Sequence, residues 1–234
     1  MGSKKKSWVK TIIKIILIVV LIVGGVGGYL AYKFIYMPNI NLKDKKSTII
    51  YIPTGSSFED VVNILNENEH WKARNSFKWP DKEKKYTNAV KPGKSRVLAK
   101  MNNSARINLL RLGKQEPVVI NFAGLHTVYE FVGRAGRRIE ADSNALYAAV
   151  NDDKFIGKYG FTKDNIQAFF VPGEYEFYWN TSVDEFFQRM AKEYKTFWTD
   201  TRKQRAKALG FSQTDVYILA SIVYSENDRA SDEA

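Results

Sequence analysis

The sequence contains no cysteine and only two histidines, His70 and His126. Disulfides, thiolate metal sites and a cysteine nucleophile are therefore excluded, and so is a histidine-rich metal site. A Ser-His-Asp relay would have to use one of the two histidines. We predict neither a metal ion nor an organic cofactor.

Acidic residues are also absent before Asp44, although the chain carries a net charge of +11. Removing the six lysines of residues 1–33 from the 36 basic residues leaves 30 against 25 acidic residues, a net charge of +5. The excess charge thus flanks an apolar segment, and no module of nucleic-acid-binding type follows, so nucleic acid is not an expected partner. The six are Lys4, Lys5, Lys6, Lys10, Lys14 and Lys33.

The chain has a single long apolar run, an uncharged stretch at residues 15–32. A helix of that length spans the hydrocarbon core of a bilayer. We predict a basic cytoplasmic segment at 1–14 and a transmembrane helix at 15–36, since the preceding lysines favour a cytoplasmic N-terminus. A cleaved secretory signal is the alternative, but the apolar run exceeds the usual signal length. Both interpretations export the rest of the chain.

Two strand-turn-helix patterns follow a polar linker at 37–47. The first has a strand at 48–52 and a helix from Ser57, where Ser57 and Asp60 form an acidic variant of the capping box. The second has a strand at 95–99, a helix that ends at Gly113 and a further strand at 118–122. We therefore predict a small α+β module over residues 48–122.

Helical patterns dominate residues 123–234, beginning with a capping box of Thr127 and Glu130. An aromatic loop, FFVPGEYEFYWNTS, occupies 169–182 and precedes a longer helix capped by Thr181 or Ser182. Loops carry binding residues more often than core elements do. We therefore predict that Tyr175, Tyr178 and Trp179 bind a ligand through their rings, with packing as the alternative role.

The last predicted helix, TDVYILASIVYSEN at 214–227, is apolar on nearly every side, which is typical of a core helix. Glu226 lies three and four residues after Val223 and Ile222, on the same stripe. A carboxyl drawn into the interior holds its proton more strongly and can serve as a general acid. Spacing alone leaves two alternatives open, an exposed carboxylate at a helix end and a buried carboxyl paired with Arg229.

The run LASIVYSE at 219–226 resembles the LASIVxxE motif of the endolytic murein transglycosylases, the MltG/YceG-like family. Four further stretches resemble family segments in the expected order. They are KPGK at 91–94, NLLRLGKQEPV at 108–118, KYGF at 158–161 and VPGEYEFYWNTS at 171–182.

The resemblance implies an α+β chain with an N-terminal transmembrane helix, a LysM-like module and the mainly helical part of a catalytic domain at 123–234. It implies an inner-membrane protein with a periplasmic bulk that acts on peptidoglycan glycan strands and meets peptidoglycan synthases. Glu226 matches the family's catalytic acid/base, and with a glycan as substrate the rings of Tyr175, Tyr178 and Trp179 would stack on its sugars. The implied reaction cleaves the β-1,4 bond between N-acetylmuramic acid and N-acetylglucosamine within a strand and leaves 1,6-anhydro ends.

The sequence departs from the family pattern at three places, one of which is Lys100-Met101-Asn102-Asn103 where the second strand-turn-helix pattern usually has a Pro-Gly turn. Gly173-Glu174 replaces the usual residues after Pro172, and the sequence ends eight residues after Glu226, where family members continue. We therefore expect a catalytic domain that is incomplete at its C-terminus. The alternative function is a non-catalytic, membrane-anchored glycan-binding or scaffold protein derived from this family by truncation.

Overall fold

The computed structural model describes residues 3–36, 46–67, 90–99 and 101–232. The chain divides into two compact units, Met1–Gln115 and Glu116–Ala234. Most of the predicted linker 37–47, and the basic stretch between the two strand-turn-helix patterns, lie outside the described residues.

The first unit begins with helix α1, Ser3–Tyr36. Within it, Ile12–Lys33 has a mean hydropathy of 2.5 and is long and apolar enough to cross a membrane. No other helix in the described part of the chain passes that test. The apolar side chains of this segment are exposed, as a bilayer-facing surface requires. The predicted transmembrane helix is therefore present as a helix of suitable length and composition.

The remainder of the first unit contains both predicted strand-turn-helix patterns. Strands β1 (Ser47–Ile52) and β2 (Gly93–Leu98) pair antiparallel, with Ser47 opposite Leu98 and Ile52 opposite Gly93. Helices α2 (Phe58–Glu67) and α3 (Asn103–Leu112) supply the other side of a small core. Its buried side chains are Ile50, Ile52, Val61, Val62, Leu65, Val97 and Leu110.

Local polar contacts start both of these helices. Asp60 Oδ2 accepts from the Ser57 backbone N–H at 2.8 Å, and Ser57 Oγ accepts from the Asp60 N–H at 3.2 Å. Asn102 Oδ1 accepts from the Ala105 N–H at 2.8 Å at the start of α3. The helix ends at Gly113, whose φ of +62° is left-handed and favours glycine. The predicted acidic capping box and the predicted helix end are confirmed.

The second unit is mainly helical and holds the larger core. Its strands are β3 (Val118–Asn121) and β4 (Glu174–Phe177), which pair antiparallel from Val118–Phe177 to Asn121–Glu174. A 3-10 helix spans Ile166–Phe169. The helices are α4 (Val128–Gly136), α5 (Ser143–Asn151), α6 (Asp153–Gly157), α7 (Val183–Phe197), α8 (Asp200–Ala208) and α9 (Gln213–Asp232).

Strand β3 falls inside the predicted 48–122 module, but it pairs with β4 rather than with β1 or β2. The third strand of the sequence pattern thus joins the second unit. Two strands that pair antiparallel but lie far apart in sequence are not joined by a short turn that would identify them. The sequence pattern therefore did not reveal the pairing of β3 with β4. The boundary at 122/123 stays a prediction.

Aromatic rings form the centre of the second core. Phe122 and Phe131 stack with centroids 3.8 Å apart and planes within 2° of parallel. Phe186 and Phe187, successive residues of α7, are both fully buried and meet edge to face at 5.5 Å. This core fixes the positions of α4, α7 and the 3-10 helix, which together support the loop before α4.

Helix α9 begins where the sequence predicts, but it is not a core helix. Ser212 and Asp215 cap it, with the Ser212 N–H donating to Asp215 Oδ2 at 2.8 Å. Only one side packs against the unit, through partly buried Tyr217. Apolar residues on every side of a helix do not show whether other elements pack against each side. None of the described residues packs against the outer side of α9. Ile218, Leu219, Ile222 and Val223 are 49%, 48%, 55% and 54% exposed.

Candidate active site

A cleft of about 530 Å³ runs along the packed side of α9, and we call it the α9 cleft. Its opposite wall is the loop 123–126 together with residues of the 3-10 helix and the segment after it. Its lining includes His126, Gln167, Pro172, Phe197, Trp198, Tyr217, Ser221, Tyr224 and Ser225. The cleft therefore combines an apolar base with a few polar side chains, a composition common in binding sites.

Three contacts hold the loop 123–126 in place. The loop follows β3, where the Phe122 N–H donates to the Gly173 carbonyl at 2.8 Å. The His126 N–H donates to Glu130 Oε2 at 2.8 Å. Gln167 Nε2 donates to the His126 carbonyl at 2.5 Å. These bonds connect the loop to the residue before β4, to α4 and to the 3-10 helix. In this position the His126 ring lies 6.5 Å from the Tyr224 ring.

The α9 wall presents hydroxyl groups to the cleft. Ser221 Oγ donates to the Ile218 carbonyl at 2.8 Å, and Ser225 Oγ donates to the Ser221 carbonyl at 2.9 Å. A hydroxyl that donates its proton to the helix backbone retains its lone pairs as acceptors. This wall can therefore accept hydrogen bonds from the hydroxyl or amide groups of a ligand.

Glu226 follows Ser225 on α9, and its side chain is exposed. The expectation of a carboxyl drawn into the interior is therefore wrong. Successive residues of a helix are about 100° apart around its axis. That rotation places Glu226 on the exposed face with Ile222 and Val223, at the edge of the α9 cleft rather than among its lining residues. The side chain of Arg229, its predicted alternative partner, lies outside the described residues.

The three predicted sugar-stacking aromatics have different surroundings. Tyr175 is half-buried: its hydroxyl donates to the Val171 carbonyl at 2.8 Å, and its ring lies 6.0 Å from Phe122. Burial raises the pKa of Tyr175, and Glu193 adds to that effect, so the phenol stays neutral. Tyr178 is 58% exposed, whereas Trp179 is half-buried. None of the three lines the α9 cleft, and their contact with sugar stays a prediction.

The sequence patterns did not reveal several residues of the cleft. His126 has the pattern of a residue just before a helix, and nothing local indicates its contact with a helix that begins at Gln213. Gln167 belongs to a short 3-10 helix that leaves no periodic pattern. Among the described residues, no group of three or more His, Asp or Glu side chains is arranged to hold a metal ion.

The profile of the YceG-like family matches residues 50–234. A crystal structure of a YceG-like protein from Listeria monocytogenes aligns with a TM-score of 0.40 and 18% sequence identity. That alignment covers 73% of this chain but only 61% of the Listeria chain. No curated protein matches the chain.

The family match takes in the second strand-turn-helix pattern, the aromatic segment and the LASIVYSE motif of α9. It covers far more than half of the chain, whereas the structural alignment is too slight to add to the assignment. The chain belongs to the YceG-like family.

Proposed function

We propose that this chain is a membrane-anchored endolytic lytic transglycosylase that cleaves peptidoglycan glycan strands. Its family is known generally as one of murein transglycosylases. The observation that carries the proposal is the position of the LASIVYSE motif, whose serines and tyrosine line the α9 cleft while its glutamate stands exposed at the edge. A strand lying along this edge would place a glycosidic bond within reach of Glu226.

In the proposed reaction, Glu226 donates its proton to the glycosidic oxygen as the bond to C1 of N-acetylmuramic acid breaks. The carboxylate then accepts the proton of the muramyl C6 hydroxyl, and the C6 oxygen bonds to C1. The products are a strand with a free hydroxyl and a strand with a 1,6-anhydro end. Because the nucleophile belongs to the substrate, one carboxyl is enough, unlike the pair of a hydrolytic glycosidase.

A bound glycan would cover the exposed carboxyl of Glu226 and exclude bulk water from the bond to be cleaved. We propose that Tyr178 and Trp179 add sugar-stacking surface and that Tyr175 positions the loop through its bond to Val171. We further propose that the unit containing β1 and β2 is a LysM-like glycan-binding module.

The proposed location is the inner membrane, with α1 as a single span, the N-terminus in the cytoplasm and the remaining chain in the periplasm. There the enzyme would end the growth of nascent strands close to peptidoglycan synthases. A basic N-terminal flank followed by an apolar helix supports this orientation.

The decisive measurement is digestion of uncrosslinked glycan strands by the full chain in detergent, with mass spectrometry of the products. We expect anhydro-muramyl ends from the wild type and at least about a hundredfold fewer from Glu226→Gln, since a general acid or base contributes about that much or more. Asp164→Asn is the matched control, because it removes another exposed carboxylate that does not line the α9 cleft. Equal activity in Glu226→Gln would remove Glu226 from the mechanism.

A second function is favoured by one observation, that Glu226 lies outside the lining of the α9 cleft. The chain would then be a non-catalytic glycan-binding or scaffold protein held at the membrane. Strands that the wild type retains in a pull-down but leaves intact would support this function over the first.

A further inference from the structure

A second cleft lies in the same unit as the α9 cleft, with a volume of about 870 Å³. Its lining comes from the segment after α6, the outer side of α7 and the first residues of α8 and α9. Lys158, Lys192, Lys195 and Lys203 surround it, with Tyr194 and Trp198 at its base. We call it the lysine cleft. Trp198 also lines the α9 cleft, so the two clefts are neighbours.

The charge of the lysine cleft is of one sign. Four lysines line it, and no aspartate or glutamate does. The carboxylate of Asp200 lies 3.6 Å from Lys203 Nζ but is 93% exposed, so solvent weakens that pair. Across the residues with described side chains, Lys192 and Lys195 form no ion pair. Asp184 does not line the cleft, but after burial it is the second cause that raises the pKa of the Tyr159 phenol.

The base of the lysine cleft is aromatic and fixed by packing. The Phe161 ring meets the Tyr194 ring edge to face at 5.3 Å, and the Phe169 ring lies 6.1 Å from the Tyr194 ring. Trp198 is 6% exposed and lies 6.4 Å from Tyr194. Burial raises the pKa of Tyr194, which keeps its phenol neutral. The cleft thus offers ammonium groups around a rigid apolar base.

These properties limit the ligand. A lone phosphate or carboxylate is far smaller than a site of this volume, which falls in the range of about 300–1,000 Å³ typical for whole small molecules. Several lysine ammonium groups require more than one negative charge, and they take carboxylate as well as phosphate. The aromatic base favours methyl and methylene groups between the charges. A short acidic peptide has these features, whereas a phosphate polymer lacks side chains to place on the base.

We propose that the lysine cleft binds the acidic peptide that a glycan strand of the cell wall carries on its muramyl sugars. This inference rests on the proposed function, because it takes the glycan to lie at the α9 cleft. Trp198 lines both clefts, and we take a peptide that branches from a sugar in one cleft to pass beside this residue into the other. The lysine cleft then selects strands that still bear their peptides.

The test measures binding of the free tripeptide L-alanyl-γ-D-glutamyl-meso-diaminopimelate to the full chain in detergent by calorimetry. We expect Lys192→Glu/Lys195→Glu to weaken binding about tenfold or more, since it replaces two attractions with two repulsions. The control Lys154→Glu/Lys207→Glu makes the same charge change at exposed lysines outside the cleft and is expected to stay within about twofold. Amidation of the peptide's carboxylates should reduce binding as strongly.

Equal binding of the amidated peptide, or an unchanged affinity in the cleft variant, would overturn the proposal. Tighter binding of glycerol phosphate than of the peptide, lost in the cleft variant, would assign the cleft to a phosphate ligand instead. If the charge-reversed variant fails to fold by circular dichroism, Lys192→Gln/Lys195→Gln replaces it. Glu226→Gln should bind the free peptide normally. A chain that binds peptide but cuts no glycan would therefore refute the proposed function alone.

Discussion

Ser182 and Glu185 hold the first turn of α7 by exchanging hydrogen bonds. The Ser182 N–H donates to Glu185 Oε2 at 2.8 Å, and Ser182 Oγ accepts from the Glu185 N–H at 3.3 Å. The bond from the Ser182 backbone, followed by that from its hydroxyl, holds the pKa of Glu185 below its ordinary value of 4.5. A carboxylate with a lowered pKa stabilises the fold while it is ionised.

We expect Ser182→Ala to lower the free energy of unfolding by about 1 kcal/mol at neutral pH, the usual cost of losing such a cap. The folded pKa of Glu185 is lowered, so its contribution is present above 4.5 and disappears as pH falls through the folded value. The difference between variant and wild type should therefore shrink in acid. Thermal unfolding at neutral and acidic pH measures it, with exposed Thr201→Ala as control. A difference that grows in acid would contradict the role of Glu185.

Residues that act locally could be predicted from their spacing. Ser57 with Asp60, Thr127 with Glu130, and Ser212 with Asp215 are each three apart, and the structure has a helix-starting contact at every pair. A cap depends only on neighbours within one turn. The exposure of Glu226 depends instead on which elements pack beside α9, and the spacing of residues along the chain does not predict those elements.

Helices α7 and α9 show how unequally two apolar elements are covered. Phe186 of α7 is fully buried, with the Phe122, Phe170 and Phe177 rings 5.4–6.5 Å from its own. Ile222 of α9 is 55% exposed. Both helices are rich in apolar residues, yet only α7 lies between other elements of the unit.

This contrast predicts different costs for removing a side chain. Phe186→Ala should destabilise the protein by about 3–5 kcal/mol, the usual range for a buried phenylalanine. Ile222→Ala should cost less than about 1 kcal/mol, because the side chain is half exposed and alanine favours helix. Denaturant unfolding of the full chain in detergent compares the two. A cost for Ile222→Ala similar to that for Phe186→Ala would show that this face of α9 is covered in solution.

The pairing of β3 with β4 in the second unit could not be predicted from the sequence pattern. Val118–Asn121 was predicted as a strand, but its partner Glu174–Phe177 lies in a segment predicted as a loop. Four residues are too few to establish an alternating pattern, and the partners are more than fifty residues apart. Strands β1 and β2 were easier to predict because each precedes its own capped helix, although their antiparallel pairing was not predicted.

The chain divides into two compact units, and the first contains the one helix among the described residues that is long and apolar enough to cross a membrane. Helix α1 could be predicted from the sequence as a membrane span, because a span requires only a sufficient length of apolar residues, and its flanking lysines indicate the orientation. The two clefts could not, since each collects residues from several elements.

An uncleaved anchor should keep the full chain in the membrane fraction through a carbonate wash. Leu17→Lys/Leu21→Lys should release it, because each lysine in mid-span costs about 2.5–3.5 kcal/mol. Leu112→Lys/Leu209→Lys is the matched control, since both leucines are exposed outside the span. Recovery of a shorter wild-type protein without its first residues would indicate a cleaved signal instead.

The position of Trp198 gives this protein an optical reporter. Its indole lines both clefts and is almost completely shielded from water, whereas Trp8 lies in α1 and is 74% exposed. A ligand entering either cleft alters the polarity around the same ring, so its emission should respond to occupancy of each. In a variant that keeps Trp198 and has phenylalanine in place of the other four tryptophans, titrating one ligand in the presence of the other would then reveal whether the two clefts fill independently.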